Sequence, residues 1–124
     1  VMATYAVLGD TKAIARGVYE TTWLATVSGV GNPLNCSRLS EHTVQCVGPT
    51  GGTSRIIIRG SNDSVPSSAT AVWNVLSTPT DGNLDFTNVT GGLVKVVLET
   101  PRSIQPQFET VTTGKTLSVI IVSR

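Results

Sequence analysis

The sequence predicts an all-β protein: one antiparallel β-sandwich of about eight or nine strands. Three observations carry this. First, 12 Gly and 6 Pro punctuate the chain in turn-like clusters, at the 8–12-residue spacing of sandwich strands. Second, apolar residues alternate with period two through most of the segments between those clusters. Third, no stretch holds the i, i+3, i+4, i+7 pattern of an amphipathic helix for three turns.

The elements follow in order. Residues 1–12 are expected to form a flexible N-terminal arm, and residues 13–124 a single sandwich domain. A short first strand covers residues 13–18. From Tyr19 to Val27 the chain alternates, with Tyr19, Thr21, Trp23, Ala25 and Val27 on one face. Gly29-Val30-Gly31-Asn32-Pro33 is a turn. Leu34–Leu39 and Thr43–Val47 follow, joined through Ser40-Glu41-His42, and Gly48–Gly52 turns the chain again. Thr53–Gly60 is the clearest strand: Ile56 and Ile58 share one face, and Arg55, Ile57 and Arg59 the other. A polar loop spans residues 61–70. Ala71–Leu76 is a strand with Trp73 and Val75 on one face, residues 78–83 are a turn, and Leu84–Thr87 is short. In Leu93–Glu99 the expectation is that Val94, Val96 and Leu98 face in and Lys95 and Glu99 face out. Ile104, Pro106 and Phe108 alternate with Gln105, Gln107 and Glu109. Thr116–Val122 closes the chain with Leu117, Val119 and Ile121 on one side and Ile120 and Val122 on the other. Apolar residues on both faces imply burial in the core and at an interface.

Composition narrows the function. A chain of 124 residues is long enough for one domain that buries roughly two-thirds of its unfolded surface. Its net charge is +1 and only 14% of residues are charged, against a usual share of about 25%. Low surface charge favours packing against neighbours. Arg16, Arg38, Arg55, Arg59, Arg102 and Arg124 are scattered singly, so no basic footprint for nucleic acid forms. No apolar run reaches the ~18 residues of a membrane helix. No leader pattern opens the chain, so it is expected either to stay in the cell that made it or to have lost a leader before Val1.

Residues fit for chemistry are few. Nucleophilic catalysis needs a base beside the nucleophile. The only His, His42, falls in a turn and is expected to be exposed there. Asp63, Asp81 and Asp85 sit in or near turns, where side-chain hydrogen bonding to the backbone accounts for them. Asp81, Asn83 and Asp85 alternate like a Ca²⁺ loop, but Phe86 and Gly92 stand where an EF-hand needs Gly and Glu. Cys36 and Cys46 are read as buried thiols, with a cross-hairpin disulfide as the other reading. Two Cys and one His make no ligand set. The chain is therefore expected to be neither an enzyme nor a cofactor or metal protein. Trp23 and Trp73 are read as core anchors, or else as a platform for sugar or a partner protein. For contact with another protein the candidates are Arg55, Ile57 and Arg59 on one strand face, and Ile120 and Val122 on another.

The order of motifs from residue 20 to 124 carries a resemblance. Trp23-Leu24-Ala25-Thr26 precedes a turn, then come Thr43-Val44-Gln45-Cys46-Val47-Gly48, Ile56-Ile57-Ile58-Arg59-Gly60-Ser61-Asn62-Asp63, Trp73-Asn74-Val75-Leu76 and Pro101-Arg102-Ser103-Ile104-Gln105-Pro106. This order resembles the cement or decoration proteins of tailed bacteriophages. The resemblance implies a jelly-roll-like sandwich on the outer surface of the virion, made in the host cytoplasm. It implies the major capsid protein as partner, with the chain itself as homodimer or homotrimer. The Gly-Ser-Asn-Asp string followed by Trp73 is also similar to discoidin-type carbohydrate-binding sandwiches. Those commonly place Gly after the Asp, where this chain has Ser64, and a shorter loop before the Trp. That alternative implies a sugar platform at Trp23 or Trp73.

Overall fold

The computed structural model describes residues 5–48, 53–79, 82–89 and 91–124. All of its regular structure is β. The strands are β1 (Gly9–Ala15), β2 (Val18–Ala25), β3 (Gly29–Val30), β4 (Leu34–Asn35), β5 (His42–Gly48), β6 (Ser54–Ser61), β7 (Asn74–Val75), β8 (Ser77–Thr78), β9 (Gly82–Asn83), β10 (Asp85–Thr87), β11 (Gly91–Val96), β12 (Ser103–Val111) and β13 (Leu117–Ser123). One sheet runs β1-β2-β13-β5-β11. The other runs β10-β6-β12-β3, with β4 also on β12 and β7 also on β6. β8 and β9 form a separate pair.

The connectivity identifies the sandwich. Taking β3 and β4 as one broken strand, and setting aside β1 and the two-residue β7, β8 and β9, eight strands remain. In chain order these give sheets 1-8-3-6 and 2-7-4-5. That is the double Greek key of a jelly roll. Every strand pair within these sheets is antiparallel.

Period two decides which side chains meet between the sheets. Thr21, Trp23 and Ala25 of β2, Val44 and Cys46 of β5 and Leu117, Val119 and Ile121 of β13 point inward from one sheet. Ile56 and Ile58 of β6 and Ile104 and Phe108 of β12 meet them from the other. Trp23 anchors this layer. Its indole N–H donates to both the carbonyl and the side-chain oxygen of Asn32, each at 3.1 Å. A Cβ at Gly31 would lie 2.8 Å from the indole and 2.7 Å from Pro106, so the close approach requires glycine.

Pro106 explains the break between β3 and β4. Its carbonyl accepts from Gly31 N at 2.9 Å, so its backbone polar edge faces that border, where it has no N–H to give. The pairing resumes on either side, with Gln107 and Phe108 on β3 and Ser103 and Ile104 on β4.

Several elements differ from the sequence expectation. Residues 1–4 and the Gly48–Gly52 turn beyond Gly48 lie outside the described residues, as does Asp81. The rest of the expected arm is held by the sandwich. Val7 is buried and bridges Gly31 in parallel, and Gly9–Ala15 pairs along β2. The expected strand at 34–39 shortens to Leu34–Asn35, and that at 71–76 to Asn74–Val75. In β11 the faces are exchanged. Leu93 and Lys95 pair with Cys46 and Val44 on the inner side, while Val94, Val96 and Leu98 are each more than half exposed. Alternation marks a strand but not which side is inner, and a shift of one residue inverts every side chain.

Candidate interaction surfaces

The outer face of the five-stranded sheet is built from the outward positions of four adjacent strands. Ile120 pairs with Thr22 on one side and Gln45 on the other, and Gln45 pairs with Val94. Val122 pairs with Glu20 and Thr43, and Thr43 with Val96. One row further on, Ser118 pairs with Leu24 and Val47. Ile120 and Val122 are half-buried at the centre, flanked by the open side chains of Leu24, Val94 and Val96. The charge near one edge is paired, Lys12 Nζ to Glu20 at 3.3 Å. Branched apolar side chains and threonines, interrupted by Gln45 and Ser118, thus form a surface with little uncompensated charge. Apolar surface of this kind is a candidate for contact with another protein.

The face of β6 is different in character. Arg55 holds Asp85 through two hydrogen bonds, 3.1 Å from Nε and 2.8 Å from Nη2. The pair keeps the Asp85 carboxyl below its usual range and the guanidinium above its own. Ile57 is only 7% exposed, so it contributes packing rather than contact surface. Arg59 sends Nη2 to Gln105 Oε1 at 2.6 Å and lies 5.8 Å from the ring centre of Trp73. Of the three residues singled out on this strand, Arg59 is the one whose charge is left without a carboxylate.

The two tryptophans divide. Trp23 is 0% exposed and offers no face to a sugar. A cleft of about 670 Å³ opens above it, between the β1–β2 edge and segment 32–39, lined by Thr11, Tyr19, Thr21, Asn35 and Arg38. Trp73 is half-buried and its ring is engaged with Arg59.

His42 is a correction. It is 2% exposed rather than in an open turn, because β5 begins one residue earlier than expected and His42 takes an inward position opposite Ser123. Its Nδ1 lies 2.7 Å from Ser123 Oγ, and Nε2 has no partner. Burial lowers its pKa. A second cavity of about 620 Å³ adjoins it, walled by Val18, Pro79, Val96, Leu98 and Val122. Sequence spacing missed this residue because a turn reading hides the parity shared by His42, Val44 and Cys46.

Both cysteines are buried free thiols, with burial pushing each pKa up to about 12. They lie in different places: Cys36 follows β4 and its N donates to Arg102 O, while Cys46 lies in β5 and pairs with Leu93 and Val119. The cross-hairpin geometry is therefore not formed. Among the described residues, no three His, Cys, Asp or Glu side chains gather as a metal site.

Fold and surface together define an antiparallel jelly-roll sandwich with an uncovered apolar sheet face. No family model and no curated protein matches the sequence. Among solved structures, the SPBc2 prophage-derived protein YomS has a similar fold, with TM-score 0.58 and 16% identity over 90% of this chain and 100% of that one. A cupin domain from Bordetella pertussis Tohama I gives TM-score 0.48 and 13% identity over 100% of this chain and 99% of that one. At this identity the likeness to YomS is one of fold.

Proposed function

We propose that the chain is a structural virion protein that binds the outer surface of a bacteriophage capsid and stabilises it. The observation that carries this reading is a small jelly roll with two separate candidate contact surfaces, the apolar outer face around Ile120 and Val122 and the β6 side bearing Arg59. A small jelly roll presenting such a face is suited to docking on protein. The prophage origin of YomS, whose fold is similar, supports a phage setting.

Size decides how such a face works. Strands about 4.8 Å apart with a rise of about 3.3 Å per residue make the patch a few hundred Å². A standard interface buries about 800 Å² on each partner. One such contact is weak, but a shell repeats it many times, and linked weak contacts become avid. The apolar face serves contact between copies, as a dimer or trimer on a symmetry axis. The β6 side turns to the major capsid protein. A protein that binds only the assembled shell stabilises it by mass action, about 2.7 kcal/mol per site at a hundredfold excess over Kd. No chemistry, metal or cofactor is needed for this task, and neither nucleic acid nor membrane is a partner.

The test is co-sedimentation of purified protein with undecorated shells of the phage that encodes it. The expected result is saturation at a fixed number of copies per capsomer. Protein left in the supernatant at every ratio overturns the reading.

A further inference from the structure

We infer that Arg59, with Gln105 and Trp73, forms a receptor for one carboxylate, supplied by an Asp or Glu side chain of the protein on which this chain docks. The inference deepens the proposed function and rests on its claim that the β6 side meets a protein partner.

The contrast between two arginines on one strand face carries it. Arg55 and Arg59 are four residues apart on β6 and share its outer side. Arg55 has its own acid in the fold, Asp85, gripped through two nitrogens. Arg59 has none. Its bonds are to a neutral amide, Gln105 Oε1, and its Nε is buried without a hydrogen-bond partner. The nearest influence of an acid comes through space from Glu109, whose carboxylate accepts from Gln107 Nε2 at 2.8 Å. Burial disfavours the charge on Arg59, yet a guanidinium stays protonated in proteins. The isolated protein thus carries a half-buried cation to which, among the described residues, no carboxylate is hydrogen-bonded.

The surroundings hold that cation in place. Gln105 is 2% exposed and its register is fixed opposite Arg59 across the β6–β12 ladder. Trp73 stands with its ring centre 5.8 Å from the guanidinium carbon, within cation–π range. Val75 pairs beside Arg59 on β7. A planar fork held between an amide and an aromatic ring suits recognition of a carboxylate. Such preorganisation reduces the ordering cost on binding. Arg59 remains part-exposed, so a partner's acid has access.

The test follows the Arg59 Nε–H and Trp73 indole N–H signals of ¹⁵N-labelled full-length protein by NMR. The probes are a short glutamate peptide, sodium acetate, and inorganic phosphate at equal ionic strength. The expected result is a saturable shift at Arg59 and Trp73 with the peptide and acetate, and none at the buried Trp23. Arg59→Met abolishes the response, and Arg59→Lys weakens it about tenfold by losing the fork. Arg102→Met, which removes the same charge from an exposed site, leaves it unchanged. No saturable shift, an equal Trp73 response in Arg59→Met, or stronger binding of phosphate than of peptide overturns the inference. Shell binding is measured on the same variants. A peptide response with no shell binding keeps the receptor and removes the virion reading. Shell binding unaffected by Arg59→Met removes the receptor from the interface.

Discussion

His42 shows how one position couples fold and environment. Its ring is buried, Nδ1 meets Ser123, and Nε2 has no hydrogen-bond partner. Because burial lowers the folded pKa below the usual 6.5, the unfolded chain takes up the proton first as pH falls. Stability present above about pH 6.5 is then lost below it. The slope is at most about 1.4 kcal/mol per pH unit for one proton. Thermal melts are expected to show a lower Tm at pH 5.5 than at pH 7.5, with a shallower dependence in His42→Gln. An equal slope in that variant would assign the acid sensitivity to carboxylates such as Asp85. Glu99 is another such carboxylate: burial raises its pKa, but hydrogen bonds from Ser77 N at 2.8 Å and Oγ at 2.5 Å outweigh that and leave it lowered.

At the scale of the element, β13 has one face in the core and the other on the outer side of its sheet. Leu117, Val119 and Ile121 fill the sandwich, while Ile120 and Val122 lie outward between β2 and β5. Val122→Lys and Val94→Lys keep the inner layer intact, so each is expected to cost about 1 kcal/mol of stability or less. Light scattering is expected to give a dimer or trimer for the parent protein and a monomer for the double variant. A parent mass equal to one chain would assign the apolar face to the shell instead. The inner row of β13 and the apolar residues of its outer row were legible in Thr116–Val122, where both parities carry apolar side chains. The inner row of β11 was not: Val94, Val96 and Leu98 alternate just as an inward row does. Only pairing with β5, which seats Leu93 against Cys46, decides the face. Edge strands are ambiguous in this way because half-covered inner positions tolerate a residue such as Lys95.

For the molecule as a whole, the all-β sandwich follows from turn spacing and period two, and those signals are local. The jelly-roll order is not local. It depends on β13 closing between β2 and β5, and on β12 between β6 and β3, pairings that no short segment specifies. The pairing of residues 9–12 is not local either, since β1 is a strand only because β2 is there to pair with it. Of the candidate surfaces, Ile120, Val122 and Arg59 were visible as residues. Arg59's missing acid was not, because Asp85 reaches Arg55 from 30 positions away. The central proposal is that the protein toughens a shell by binding its outside. The direct measurement is the temperature at which undecorated shells break open, with increasing amounts of the protein. A rise that saturates, and that the Val94→Lys/Val122→Lys variant reduces, is the expected result. A disruption temperature unchanged at saturating parent protein would contradict it.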